Sequence, residues 1–466
     1  MSRSHEAGAL HAGAGHRSPE WLRSPENPNA LVTSLWPHNV TKGANGVLTV
    51  AGVEVTKLAE EFGTPAYVVD EDDFRGRCQA FRAGFDGWDV YYAGKAFLCG
   101  AVARWVAEEG LRLDVCTGGE LAVALRAGFP PERIAFHGNN KSEAELARAL
   151  DAGVARIVVD SHDEITRLAK LAADRGVRAP VLVRVTVGVE AHTHEYIATA
   201  HEDQKFGFSL ADGDAAAAAE RVLAEPALEL RGLHSHIGSQ IFDSSGFEIA
   251  ARRVVGLHAQ IRDRHGVELP ELCLGGGFGI AYTTQDDPES PAQLAAELGA
   301  IVEHECAAYG VVKPRLSVEP GRAIAGPAVF TLYEAGTVKT VQLDAGASRT
   351  YVAVDGGMSD NVRTALYDAD YSCTLASRWS DAPPALSRVV GKHCESGDII
   401  VKDEFLPADV HPGDLLAIPA TGAYCRSLAS TYNHVPRPPV VAVRAGEARL
   451  IVRRETEEDL LRLDVW

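Results

Sequence analysis

The sequence predicts an α/β barrel of the (β/α)8 type followed by a mostly β domain, and three observations carry that expectation. Between about residues 66 and 320, short β-branched or aromatic runs alternate with longer alanine-rich segments of helical period, the rhythm of repeated βα units. The alternation supplies eight strands, the number a closed parallel barrel needs. After Pro320 the long helical patterns stop, and strand-like runs separated by turns take over.

Taken in order, residues 1–28 are rich in His, Gly, Ala, Ser and Arg and read as a disordered tail. Residues 29–65 form an N-terminal segment. In it Leu48 to Val55 alternates around Ala51-Gly52 as a hairpin does, and Thr56 to Phe62 reads as a helix stopped by Gly63. The hairpin has no helical partner and is expected to join the later sheet, so that the β domain draws on both ends of the chain. The barrel, residues 66–320, takes its strands from Val90–Ala93, Arg112–Val115, Ile134–His137, Arg156–Val159, Val181–Val185, Leu230–His236, Leu272–Leu274 and Arg315–Val318. Helical patterns such as 101–109, 142–152, 163–175 and 247–264 lie between them, which favours a barrel over an open doubly wound sheet. The β domain, residues 321–466, is expected to use 328–332, 338–343, 350–355, 389–391, 398–401, 415–418, 440–443 and 449–452.

With 466 residues, 46% of them hydrophobic, the chain has material for two domains. A net charge of −19 argues against nucleic acid or an anionic membrane as partner, since either requires a basic face. The eight cysteines show no CxxC pair and no metal-like spacing with histidine, so reduced thiols, no zinc site and no disulfide framework are expected. The absence of a long apolar run and of a signal-like N-terminus leads to the expectation of a cytoplasmic protein.

Residues at the C-terminal ends of barrel strands converge on one mouth. Here they are Lys95; Asp114, Cys116 and Glu120; His137 to Asn140; Asp160; Arg184; His234 to Ser239; Gly275 to Gly279; and Glu319 to Arg322. This set is too polar for a core. Lys95 follows the aromatic run Val90-Tyr91-Tyr92-Ala93; a lysine among apolar neighbours loses charge and becomes a nucleophile toward an aldehyde, although a lysine capping a strand into water fits the same stretch. The glycine clusters after the sixth and seventh strands are placed to hold phosphate through backbone N–H groups, or else to make tight turns. Pyridoxal 5′-phosphate joins these features, because it needs a Schiff-base lysine, a phosphate cradle, a flat partner for its ring and a group at its pyridine nitrogen. His236 and Glu319 are the candidates for the last two. A buried structural histidine and a Glu319–Arg322 ion pair are the competing readings.

The motifs Tyr92-Ala93-Gly94-Lys95-Ala96, His234 to Ser239, Gly275 to Gly279, Glu319-Pro320-Gly321-Arg322, Asp355 to Met358, Cys394 to Asp398 and Gly422-Ala423-Tyr424 together resemble the fold-type III, alanine-racemase-like pyridoxal-phosphate decarboxylases, and among them the branch acting on diaminopimelate. They span nearly the whole chain after the tail. The resemblance implies decarboxylation of meso-diaminopimelate to L-lysine, with Lys95 as Schiff-base lysine, His236 stacked on the ring and Glu319 at its nitrogen. It assigns the phosphate to Gly238, Ser239, Gly275, Gly276 and Gly277, with Gly321, Arg322 and Tyr424 also against the cofactor. Arg322, Arg363 and Tyr367 would hold the distal carboxylate and Glu395 the distal ammonium, while Tyr424 closes over the substrate. Cys394 would be the proton donor, delivered from the second subunit of a homodimer. One departure is Thr364, where many relatives have a proline after the clamp arginine.

A decarboxylase of ornithine, arginine or a polyamine precursor such as carboxynorspermidine is the nearest rival, but such substrates lack a distal carboxylate and would leave the arginines unpaired. Glu319 speaks against a racemase, whose relatives put arginine at that place. The presence of both Lys95 and Cys394 speaks against a non-catalytic homologue, and a metal-dependent barrel hydrolase leaves Lys95 without a role.

Overall fold

Short runs of mostly buried apolar residues, set between helical segments, build the barrel in this computed structural model, which describes residues 18–188, 205–343 and 347–465. The eight strands are Asp89–Ala93, Arg112–Val115, Ile134–Phe136, Arg156–Val159, Ala179–Thr186, Leu228–His234, Glu271–Cys273 and Arg315–Val318. Each pairs in parallel with the next. Val318 then lies opposite Val90, so the eighth strand closes on the first and no edge is left exposed. Leu113, Phe136, Val159, Val183 and Leu233 are buried, as strands covered on both faces require.

The connecting helices begin where the sequence supplies caps. Ser142 and Glu145 form a reciprocal capping box at the start of Glu143–Ala152, and Ser290 with Gln293 does the same for Pro291–Tyr309, where proline occupies the first turn. Each box satisfies backbone donors that a helix start otherwise leaves open.

The chain divides into two units. One comprises residues 75–279 and 288–324 and holds the barrel; the other takes the residues up to Phe74, residues 280–287 and those from Ala325 onward. The second unit is organised on a sheet in the order Ile399–Pro407, Pro384–Val390, Ser348–Val354, Val329–Gln342, Ala66–Asp70, Val440–Arg444, Glu447–Val452. Leu415–Ile418 also pairs with Val329–Gln342 and carries Thr374–Leu375 on its other side.

Three expectations are corrected here. The barrel was expected to begin at residue 66, but Ala66–Asp70 lies in the sheet of the other unit, antiparallel to Val329–Gln342 and parallel to Val440–Arg444. All five of its residues are buried, so its pattern is that of any doubly covered strand and does not name a partner. The early hairpin does not extend that sheet: Val40–Lys42, Leu48–Val50 and Val53–Glu54 form a three-stranded sheet of their own. It is tied to the larger one by the Leu48 amide donating to the Ala376 carbonyl at 2.8 Å. Lastly, the runs read as 328–332 and 338–343 belong to one strand, Val329–Gln342, whose pairing shifts register between Ala335 and Val338. Of the expected tail, residues 1–17 lie outside the described residues. No described helix is long and apolar enough to cross a membrane.

Leu48, Val50, Val55 and Leu58 share one core with Val68, Phe330, Leu332 and Val441, so the small sheet is attached mainly by apolar burial. Leu48→Ala should therefore cost about 2–5 kcal/mol, seen as a lower urea midpoint for this unit, with the loss read from circular dichroism of the purified variant.

Candidate active site

The barrel strands end in polar groups that cannot join the core, and their chemistry is held in place by backbone contacts between neighbouring strand ends. Lys95 follows the first strand on a turn fixed by three amides: Ala93 donates to the Pro320 carbonyl at 3.1 Å, Gly94 to that of Asp114 at 2.9 Å, and Ala96 to that of Ala93 at 3.1 Å. The Tyr92 hydroxyl donates to the Phe97 carbonyl at 2.6 Å. Lys95 is half-buried, and its charge is felt by Asp114, Cys116, Glu120, His137 and His236.

Glu319, just past the eighth strand, is 5% exposed. One carboxylate oxygen lies 3.1 Å from His137 Nε2 and receives the Cys273 thiol at 3.2 Å; the other lies 3.2 Å from His234 Nε2. Burial alone would raise this carboxyl, but the two imidazoles hold it well below the usual carboxylate range. His234 is itself pushed down to about 4 by burial and is neutral at neutral pH. The ligand atoms of His137, His234 and Glu319 fall within 4.8 Å of one another, a spacing a cation could use, and their mutual contacts account for the grouping.

The His236 ring is oriented by the Gly276 amide, which donates to Nδ1 at 3.1 Å. Burial lowers its pKa well below the usual histidine range, leaving a neutral ring. Gly238, Gly275 and Gly277 have φ of 145°, 72° and 114°. At Gly276 the reason for glycine is close approach: a Cβ there would sit 2.2 Å from the Glu319 carbonyl oxygen. Gly321 is similarly tight, with a Cβ 2.9 Å from that of Ala93. Arg322 is buried and donates from Nη2 to Ser239 Oγ at 2.8 Å, rather than pairing with Glu319. Ser235 Oγ is buried without a hydrogen-bond partner. Arg184 lies 3.9 Å from Asp160 and over the Phe206 ring at 4.4 Å. The barrel unit thus brings together Lys95, His236, Gly238, Ser239, Gly275, Gly276, Gly277, Glu319, Gly321 and Arg322 at its strand ends.

Arg363, Tyr367, Cys394, Glu395 and Tyr424 belong to the other unit. Arg363 opens the short helix Arg363–Tyr367, is 6% exposed, and donates to the Tyr371 hydroxyl at 2.6 Å. Its guanidinium lies over the Tyr282 ring at 4.6 Å. Burial works against its charge, and Tyr282, Tyr371 and Cys425 outweigh burial. No described carboxylate forms an ion pair with it, and its Nε is buried without a hydrogen-bond partner. Thr364 is also buried, and its hydroxyl donates to the Ile400 carbonyl at 2.9 Å, a bond that proline could not make. Tyr367 is half-buried at the end of the same helix. Cys394 is the one exposed thiol of the eight; its amide donates to Asn433 Oδ1 at 3.2 Å. Glu395 receives the Gly397 amide at 3.3 Å, and Tyr424 sits in the left-handed region at φ 62°. Tyr282 and Tyr371 were not singled out from the sequence, since no motif marks them. His137 and His234 were placed at strand ends but given no role, although a histidine directly after an apolar run was the available signal.

By class, the barrel and its strand-end groups are those of a pyridoxal-dependent decarboxylase: residues 71–326 match the family described as pyridoxal-dependent decarboxylase, pyridoxal binding domain. The diaminopimelate decarboxylase of Mycobacterium tuberculosis is 61% identical over 440 residues, covering 93% of this chain and 98% of that one. That of Mycobacterium leprae is 58% identical over 468 residues, covering 99% of each. Among solved structures, diaminopimelate decarboxylase from M. jannaschii in complex with L-lysine has a TM-score of 0.84 at 30% identity, covering 92% of this chain and 98% of that one. The chain belongs to the diaminopimelate decarboxylase family.

The glycine contacts carry a test. In Gly276→Ala the neighbour that must give way is backbone, so a loss of about 1–3 kcal/mol is expected. Gly76→Ala, in the helix Glu71–Gly84 with nothing within 4 Å of the new Cβ, should be neutral or stabilising by up to about 1 kcal/mol. Chemical denaturation of the two variants beside the parent checks both signs.

Proposed function

We propose that this protein is a pyridoxal 5′-phosphate-dependent carboxy-lyase that converts meso-2,6-diaminopimelate to L-lysine and CO2, the last step of lysine biosynthesis. The observation that carries the reading is Glu319, a buried carboxylate held ionised by two histidines, in a chain 61% identical to a diaminopimelate decarboxylase. The residues fit the cofactor: a glycine-lined strand end where a Cβ would strike backbone, a neutral oriented imidazole and an anionic carboxylate beside a lysine-bearing turn. When bound, pyridoxal phosphate supplies an aldehyde for an amine and a protonated ring that accepts the electron pair released as CO2 departs.

In this reading Lys95 Nζ would be the amine that holds the cofactor. Glu319 would face the pyridine nitrogen and favour a proton on it, and His236 would offer the flat partner for the ring. Gly238, Ser239, Gly275, Gly276, Gly277 and Gly321 offer close backbone to the phosphate, with Arg322 braced on Ser239. Arg363, a buried cation with no described carboxylate partner, has the property required to take the distal carboxylate of a substrate; Arg322 and Tyr367 assist it. Glu395 takes the distal ammonium, and Tyr424 closes over cofactor and substrate. The Cys394 thiol would be the group that gives a proton to the carbon from which CO2 has left, becoming a thiolate. The enzyme acts in the cytoplasm as a homodimer in which Cys394 serves the partner's site.

The purified protein should release CO2 and L-lysine from meso-diaminopimelate, with ornithine a poor substrate. It should carry a visible absorption band that borohydride removes. Lys95→Ala should lose both band and turnover; a persisting band would refute the anchor role.

Sharing of sites is tested by mixing Lys95→Ala with Cys394→Ala under subunit exchange. Random exchange makes half the dimers mixed, each with one intact site of two, so about a quarter of the parent activity should return. No recovery despite proven exchange would place both residues in one chain's site.

A further inference from the structure

The cofactor reading leaves open what allows Glu319 to stay charged where water is excluded. His137 follows the third strand, 5% exposed, with its amide continuing the ladder to the Val115 carbonyl at 2.8 Å. Its Nε2 lies 3.1 Å from Glu319 and 3.6 Å from Asp114 Oδ1, a carboxylate only 1% exposed on the second strand. The His234 ring meets the other side of Glu319 and stands edge-on to His137, centroids 4.9 Å apart. We infer that His137 is a positioning residue of this site: wedged between Asp114 and Glu319, its ring is the countercharge that keeps Glu319 anionic and fixed for the cofactor's ring nitrogen. This rests on the pyridoxal-phosphate reading above.

The three histidines at these strand ends divide by their neighbours. His234 touches one carboxylate and His236 receives the Gly276 amide, and burial keeps both neutral. His137 touches two, and although burial favours its neutral form, Asp114 and Glu319 raise its pKa. The charged groups that act on it come from several elements: Asp114 on the second strand, Glu120 in the helix that follows it, Glu319 after the eighth, and Lys95 after the first, whose charge opposes a proton on His137. His234 on the sixth strand is neutral. Two carboxylates sharing one nitrogen do not both remain ionised in a dry site without a cation between them. Two neutral histidines would leave Glu319 free to take up a proton, and a protonated Glu319 would no longer favour a proton on the pyridine nitrogen. Because the raised pKa belongs to the folded state, the contribution of His137 is complete below the ordinary histidine value of about 6.5 and fades as pH rises through the folded value.

The test uses full-length holoenzyme and does not depend on turnover. In the parent protein labelled with 15N-histidine, one buried imidazole should keep its proton at a pH where an ordinary histidine has lost it, and that signal should be missing in His137→Gln; finding every buried ring neutral would overturn the proposal, with or without a folded variant. In His137→Gln the cofactor dissociation constant, measured by equilibrium dialysis, should rise about tenfold, and the gap from the parent should narrow as pH increases. His137→Lys, which restores a cation, should recover part of the affinity. A gap that does not change with pH, or no gap, would mean that the ring only fills space and would overturn the proposal. Failure of the parent protein to hold the cofactor at Lys95 would instead sink the proposed function, and the protonation measurement would still decide the state of His137.

Discussion

Holding a carboxylate charged inside a parallel barrel is the constraint on which the active-site architecture rests. Glu319 is buried, and an isolated carboxylate there would take up a proton. It is kept ionised because strands far apart in sequence but adjacent or facing in a closed ring bring His137, His234 and the Cys273 thiol onto its two oxygens. The backbone around it is equally restricted, since Gly276 packs against the Glu319 carbonyl and spends its own amide on His236. Closure of the eighth strand on the first therefore does more than remove a sheet edge: it places the acid and the lysine-bearing turn on neighbouring strand ends, joined by the Ala93 to Pro320 hydrogen bond.

The other unit meets the opposite problem with a cation. Arg363 is buried with two tyrosines against its guanidinium and no described carboxylate partner. Aromatic faces and a phenol oxygen stabilise such a charge only in part, and its Nε is buried without a hydrogen-bond partner. In the proposed function, where Arg363 takes the distal carboxylate, a substrate without an anionic end would leave the cation uncompensated, which disfavours it more strongly than any loss of contact area would. Thr364 fixes the same helix through its bond to Ile400, so the residue that departs from the family habit still anchors the turn.

Much of this was legible in the residues. The eight barrel strands could be found because each is a short, largely apolar run set between helical patterns, and the strand-end position pointed to Lys95, His236 and Glu319 as candidates for chemistry rather than core. The resemblance then supplied roles for Arg363, Cys394 and Tyr424 that no pattern in their neighbourhood suggests. Ala66–Asp70 was misplaced because a strand buried on both faces looks the same in a barrel as in the middle of a sheet. The hairpin at Leu48 was attached to the wrong sheet because alternation shows which face is buried but not which strand supplies the hydrogen bonds.

The sequence by itself determined the βα rhythm, the polar residues at its strand ends and the motif set that defines the family, since these depend on local order along the chain. Only the tertiary structure decided that His137 shares Glu319 with His234 while touching Asp114, that Tyr282 and Tyr371 enclose Arg363, and that Arg322 braces Ser239 instead of pairing with Glu319. Such contacts are set by which strands become neighbours and in what register. A parallel strand carries no local mark of its partner, so the charge state of the buried acid is a property of the closed barrel.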